Sequence, residues 1–268
     1  MRCAPSQTLF EHVRNYRVRI YITQRNGTAL IFNSLAFDLR HGGTLLRGES
    51  EEIARWLERW EGGRLWFCLA AVFAGAGLFG AALGAWRSPM QALYGGIKVP
   101  LVILLTTAGT VLSNAMMAPL LGLDIKFRQS LLVILFSHTI AAIIMGGFSP
   151  VLFFVVCNAP PVPTAASAST AGHSIVLLVE VALIAFAGVV ANVRLRQLLD
   201  RLSGSPPISS RIMFAWLAAN LFLGAQISWL MRPFVGSPDL PVEFLRSNAF
   251  QGNFYETVFR ALMNLFHS

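Results

Sequence analysis

Runs of about twenty apolar residues recur along this chain, and they restrict its fold more than any other feature. A run of this length lets a helix cross a hydrocarbon core about 30 Å thick. In hydrocarbon, backbone amides need hydrogen-bond partners within the protein, which only helices or closed β-barrels provide. The runs are too long for the strands of a barrel, so each run predicts a helix. The sequence therefore predicts an all-α polytopic membrane protein with five transmembrane helices, at residues 65–86, 97–121, 131–156, 173–191 and 212–231.

Composition and charge agree with this class. Hydrophobic residues make up 55% of the chain and charged residues 13%, whereas soluble domains have roughly 25% charged residues. Of the 21 Lys and Arg residues, sixteen fall on one side of a five-helix arrangement and five on the other. By the positive-inside rule, the N-terminus is predicted to be cytoplasmic and the C-terminus outside. Topology thus explains most of the +8 net charge, and no nucleic-acid partner is expected.

The N-terminal region, residues 1–49, is predicted to be a small cytoplasmic β-hairpin region. Residues 18–22 alternate between apolar and polar side chains, as in a half-buried strand. Asn26-Gly27 is typical of a type I′ hairpin turn, and residues 29–37 offer the return strand. Because an isolated hairpin is only marginally stable in water, it needs a further strand, a partner chain or the membrane surface.

Residues 50–63 are predicted to form an amphipathic helix that leads into the first span. Ser50 is a plausible N-cap, and acidic residues follow it in the first turn. Two interpretations stay open. The helix lies at the membrane interface with its apolar face at the depth of the lipid headgroups, or this face packs on the small N-terminal domain and closes it. That face consists of Ile53, Trp56, Leu57 and Trp60. The first 60 residues contain no apolar stretch typical of a cleavable signal peptide.

The segment after the last span, residues 233–268, is predicted to be extended at first and then to form an amphipathic helix on the outer side. Prolines interrupt its first part, and apolar side chains then recur at helical spacing. Because the segment has little positive charge to hold anionic lipid, a protein partner is favoured over the outer leaflet. The predicted partner-binding residues are Phe254, Val258, Phe259, Leu262, Leu265 and Phe266.

Within the transmembrane domain, residues 64–232, two ionisable residues lie deep in the predicted spans. Glu180 and His138 are roughly 10 Å and 12 Å inside opposite faces of the bilayer, so a direct pair needs an offset between helices and a water-bridged pair is easier. Together they fit a proton relay, but each also fits a structural role in hydrogen bonding between helices. Lys98 is a further candidate partner for Glu180, although it also fits a side chain that reaches the outer headgroups.

Uncharged polar residues are scattered over three of the spans and form no ion-coordinating cluster. Hydrogen bonds between helices explain them better than a substrate pathway does. They are Ser113, Asn114, Ser137, Asn220 and Gln226, and among them Asn114 is a candidate functional residue.

Small residues recur at every fourth position of the first span. Ala76, Gly80 and Gly84 therefore give this helix one smooth face, which favours close helix packing within the chain or between chains.

The search for enzyme and cofactor motifs gives no candidate. The chain contains no P-loop, no G-x-S-x-G elbow, no H-E-x-x-H and no C-x-x-C-H motif. Cys3, Cys68 and Cys157 do not form a set with metal-ligand spacing, and the histidines are scattered. No catalysis, cofactor or metal is therefore predicted.

Three short segments resemble bacterial members of the Yip1-like integral membrane protein family: LYGGIKVP at residues 93–100, LGL at 121–123 and FRQS at 127–130. The resemblance extends over residues 65–232 and leaves out the N-terminal hairpin and the tail. It implies five spans with the N-terminus inside, and a non-enzymatic role in membrane organisation like that of the eukaryotic relatives. It implies no site residue.

Two functional hypotheses follow. The first is a non-enzymatic integral membrane subunit or scaffold that organises or stabilises a membrane protein complex. The partners expected for the chain as a whole are membrane lipids and other integral membrane subunits, or further copies of the same chain. The alternative is a proton-coupled small-solute transporter or channel that uses Glu180 and His138. The ratio of nineteen Arg to two Lys suggests a GC-rich genome, and from it we expect a bacterial inner membrane location.

Overall fold

The computed structural model describes residues 40–58, 61–122, 125–160, 171–236 and 241–256. That part of the chain is helical, with no strand. Its helices are α1 Arg40–Arg47, α2 Ser50–Glu58, α3 Gly62–Gly84, α4 Pro89–Leu120, α5 Phe127–Asn158, α6 Ala171–Ser203 and α7 Pro206–Met231. The predicted β-hairpin lies outside the described residues, as does most of the predicted tail helix.

The five long helices, α3 to α7, are long and apolar enough to span a membrane, as the sequence predicted. Their bounds differ from the predicted ones mainly where polar residues extend a helix beyond its apolar run. The fourth span was predicted to end at residue 191, whereas α6 continues to Ser203. The second was predicted to begin at residue 97, whereas α4 begins at Pro89. Proline suits the first position of a helix, because the N–H group that it lacks would have no partner within the helix.

Helices α3 and α4 form an antiparallel hairpin whose backbones touch. A methyl group added at Gly80 would overlap the Gly95 carbonyl group, and one added at Gly84 would overlap the Gln91 carbonyl group. Helix α3 also lies close to α5: a Cβ added to Gly146 of α5 would lie only 2.8 Å from the Gly75 Cα of α3. Small residues thus let α3 lie against two neighbours at backbone distance.

The short helices α1 and α2 cover the end of the bundle at which α3 begins. Trp56 is buried, and its ring centroid lies 6.0 Å from that of Phe136 on α5. Ile53 and Leu57 are buried in the same hydrophobic cluster, which includes Leu195 of α6. Ile53, Trp56 and Leu57 of the predicted apolar face therefore pack on protein in this structure, whereas Trp60 lies outside the described residues.

The opposite end of the bundle is where α3 and α7 end and α4 and α6 begin; we call it the Pro233 end. Here the Trp86 Nε1–H donates to the Pro160 carbonyl oxygen at 3.1 Å, and the Trp86 ring lies 5.6 Å from the His173 ring. The segment that follows α7 also packs at this end, against α4.

The contact between α3 and α4 gives a direct prediction. Replacing Gly80 with valine should destabilise the protein by about 1–3 kcal/mol or more, because the added side chain forces the two backbones apart. Thermal unfolding in detergent should show a lower Tm.

Gly147→Val on α5 is the matched control, because a Cβ at Gly147 meets nothing within 4 Å. Equal losses of Tm in the two variants would contradict the proposed role of the Gly80 contact.

Candidate functional site

Helix α4 carries an unusual number of buried polar side chains for a membrane-spanning helix. They are Gln91, Lys98, Thr106, Thr107, Thr110 and Asn114. Polar groups in hydrocarbon are costly unless they are hydrogen-bonded, so the partners of these groups indicate what α4 does.

Two of these side chains hold the segment that follows α7. The Gln91 Nε2 donates to the carbonyl oxygens of Pro233 at 3.0 Å and Phe234 at 2.7 Å. The fully buried Lys98 donates from Nζ to the same Pro233 oxygen at 2.9 Å. This segment is not helical and leaves carbonyl groups without helical partners, so α4 supplies the missing donors.

Aromatic rings surround the Lys98 ammonium group. Its Nζ lies 5.1 Å from the ring centroid of Phe244 and 5.9 Å from that of Tyr94. The two rings meet edge to face at 5.4 Å. Cation–π attraction of this kind is stronger when the cation is desolvated, so these rings help to stabilise the buried charge.

Further along α4, two threonines join it to other helices. The Thr107 Oγ1 lies 2.8 Å from the His138 Nδ1 on α5, and it also lies 2.7 Å from the Ile103 carbonyl oxygen. The Thr110 hydroxyl donates to the Asn220 Oδ1 on α7 at 2.8 Å. Both contacts are interhelical hydrogen bonds of the kind that stabilises membrane helix pairs.

Asn114 differs from the other polar residues of α4. It is fully buried, and neither of its side-chain polar atoms has a hydrogen-bond partner among the described residues. Its neighbour Ser113 donates to the Gly109 carbonyl oxygen of its own helix at 3.0 Å.

A cavity of about 300 Å³ lies at the Pro233 end, between the beginning of α6 and the segment that follows α7. Glu180 and His173 line it from α6, and Arg232 and Arg246 line it from the chain after α7. Burial, and then the nearby Arg246 charge, lower the pKa of the Arg232 guanidinium below its ordinary value. The cavity thus brings one carboxylate and two cations together.

The two residues of the predicted relay have different contacts in the structure. Within the described chain, no hydrogen bond or ion pair joins His138 to Glu180. His138 bonds to Thr107, whereas Glu180 lines the cavity. Lys98 does not pair with Glu180 either, because its ammonium group bonds to the Pro233 carbonyl oxygen.

Sequence reasoning missed three residues of this region. Gln91 lay outside the predicted second span, and Arg232 and Arg246 were counted only for topology. The signal that marks them is the break Arg232-Pro233: a non-helical segment next to a span needs donors from elsewhere.

The predicted packing and tail residues lie as follows. Ala76 is fully buried, and the contacts of Gly80 and Gly84 are with α4 of the same chain. In the tail, the Phe254 backbone N–H lies 3.3 Å from the Gln226 Oε1, to which it donates. The remaining predicted partner-binding residues, Val258, Phe259, Leu262, Leu265 and Phe266, lie outside the described residues.

Next to Phe254, Tyr255 also contacts α7. Its hydroxyl donates to the Phe222 carbonyl oxygen at 2.6 Å, and the two rings stack with centroids 5.0 Å apart. Phe222 lies nine residues before the end of α7, so the tail folds back along the helix by roughly 13 Å.

Comparisons with known proteins give no further information: no family model, curated protein or solved structure matches this chain. In the part of the chain that the structure describes, no group of three or more His, Cys, Asp or Glu side chains is placed to hold a metal ion.

The Gln91 contacts predict a role in holding the segment after α7. Gln91→Leu leaves the Phe234 carbonyl group without its donor, so we expect a loss of about 1–3 kcal/mol in stability. In limited proteolysis, trypsin should cleave faster after Arg246 than in the unmodified protein.

Gln251→Leu is the control for this experiment, because Gln251 is exposed and lies on the same tail. Cleavage of Gln91→Leu at the unmodified rate would show that Gln91 does not hold the segment.

The contact between Thr107 and His138 predicts energetic coupling between α4 and α5. A double-mutant cycle with Thr107→Val and His138→Ala should give a coupling of about 0.6 kcal/mol, with an upper limit near 1.7 kcal/mol, as for other membrane hydrogen bonds. Stability is measured by unfolding in mixed micelles.

The control cycle pairs His138→Ala with Ser113→Ala, whose hydroxyl bonds within its own helix. Additive effects in both cycles would count against a structural hydrogen bond at His138.

Proposed function

We propose that this protein is a non-enzymatic integral membrane subunit that organises or stabilises a membrane protein complex. The observation that carries the proposal is the unequal burial of the five long helices. In α3, 56% of an apolar 18-residue stretch is buried inside the protein, whereas the corresponding shares in α6 and α7 are 17% and 11%. Helices α6 and α7 thus present long apolar faces outward.

Large exposed side chains on these two faces are the proposed points of contact with another subunit. Phe186 on α6 is 53% exposed, and Phe214 on α7 is 76% exposed. Aromatic side chains bury large areas on contact and dominate many interfaces. Lipid also fits an apolar face, so the experiment must separate lipid from protein.

The small-residue face of α3 does not supply this surface. Gly80 and Gly84 are in contact with α4, and Gly75 is in contact with α5, all within one chain. We therefore place the proposed partner surface on α6, α7 and the tail rather than on this face of α3.

The membrane location and orientation belong to the same proposal. The chain is a multi-pass membrane protein by the length and composition of its helices. A bacterial inner membrane, with the N-terminus inside, is supported by the distribution of basic residues and by the abundance of arginine. The resemblance to the Yip1-like family supports a non-enzymatic role in membrane organisation.

The alternative proposal, a proton-coupled transporter that uses Glu180 and His138, has less support. A direct relay needs a bond between the two groups, but His138 bonds to Thr107, whereas Glu180 lines the cavity. The hydrogen bond between His138 and Thr107 instead fits a structural tie between helices.

The test is photo-crosslinking in native membranes. A photoreactive phenylalanine analogue replaces Phe186 or Phe214, and the protein is extracted gently through an N-terminal tag. The proposal predicts a crosslink from at least one position to another membrane protein, which mass spectrometry also recovers in stoichiometric amount.

Phe79 is the matched control, because it is fully buried in α3 and should crosslink only within its own chain. Crosslinks from Phe186 and Phe214 to lipid alone, with no co-purifying protein, would contradict the proposal. A homo-oligomer with no other protein would favour the transporter instead.

A further inference from the structure

The cavity at the Pro233 end holds charged side chains that are not paired with one another. Among the described residues, no ion pair joins Glu180 to Arg232 or Arg246. Arg232 donates to the Trp229 carbonyl oxygen at 2.6 Å and lies 3.7 Å from the Trp229 ring centroid. These contacts satisfy part of the guanidinium but do not neutralise its charge.

The position of Glu180 within a membrane-spanning helix makes its charge costly. Glu180 lies five residues after Ile175, where the candidate span begins, which is roughly 8 Å along the helix. Charged groups next to hydrocarbon carry a large desolvation cost unless a counter-charge is present. A bound molecule that carries both signs of charge would supply what the protein lacks here.

One wall of the cavity is held in position by hydrogen bonds from α4. Pro233 and Phe234 line the cavity, and their carbonyl groups are bonded to Gln91 and Lys98 of α4. Gly236 follows with a φ of +91°, and a Cβ there would lie 2.9 Å from the Arg87 Cγ. A wall held in this way needs little ordering when a ligand binds.

We propose that this cavity binds a small zwitterionic group, with its phosphate or carboxylate against Arg232 and Arg246 and its ammonium group against Glu180. Guanidinium groups recognise these anions through paired hydrogen bonds, and a carboxylate accepts from an ammonium group. A volume of about 300 Å³ holds a lipid headgroup or a small free molecule, but not acyl chains as well. This inference does not depend on the proposed function.

The experiment measures binding by the full-length protein in detergent. Native mass spectrometry compares phosphatidylethanolamine, which has an ammonium group, with phosphatidylglycerol, which does not. We expect the protein to prefer phosphatidylethanolamine. A thermal-shift titration with phosphoethanolamine tests whether the ligand is a free molecule. Stabilisation by this compound identifies a soluble ligand, whereas binding of the lipid alone identifies a lipid headgroup. Either result supports the zwitterion site.

Two variants test the two walls separately. Arg246→Gln should weaken binding of both lipids by about tenfold or more, because it removes a charge-assisted hydrogen-bond donor. Glu180→Gln should remove the preference for phosphatidylethanolamine while phosphatidylglycerol still binds. Should Arg246→Gln fail to fold, Arg246→Lys keeps the charge, loses the paired hydrogen bonds and should bind with intermediate affinity.

Arg55→Gln is the control, because Arg55 is exposed on α2 at the other end of the bundle. The proposal is overturned by any of three results: no binding of either probe, no preference for the zwitterion, or unchanged binding by both cavity variants.

Discussion

The backbone contact of α3 with α4 and α5 is the interaction on which the other features of this protein depend. In a bilayer, lipid tails are as apolar as side chains, so helices associate through close packing and polar contacts rather than through the hydrophobic effect. Gly80 and Gly84 let α4 lie against α3, and Gly75 does the same for α5. Each close approach adds dispersion contacts along the touching helices.

This packing places α4 between α3, α5 and α7, and so determines where its polar side chains find partners. Thr107 meets His138 of α5, and Thr110 meets Asn220 of α7. At the Pro233 end, Gln91 and Lys98 supply donors for a segment that has left the helical conformation. Polar groups that would be costly in lipid thus join helix to helix and helix to tail.

The fold was largely predictable from the sequence, because apolar runs of spanning length have few structural solutions in hydrocarbon. The small-residue face of α3 was visible too, but the sequence left open whether its neighbour belongs to the same chain. The partner of Lys98 was not predictable: it is a main-chain carbonyl group 135 residues later, and no side-chain pattern marks it. The cavity was missed for the same reason, since Glu180 and Arg246 meet only after α7 and the tail have folded back.

The close contacts of α3 also contrast with the outward apolar faces of α6 and α7. Helix α3 packs its smooth face on α4 and α5, whereas α6 and α7 bury the smallest shares of their apolar stretches, 17% and 11%. The organisation of the protein therefore depends on the contact of the small-residue face of α3 with its own chain.

Disulfide formation in native membranes tests that claim most directly. A Cβ on Gly96 would lie 3.5 Å from the Ala81 Cβ, a separation that suits a disulfide bond. In a background without Cys3, Cys68 and Cys157, the variant Ala81→Cys/Gly96→Cys should form a crosslink on oxidation and still run as a monomer on a denaturing gel. Crosslinked dimers, or no crosslink at all, would contradict the account.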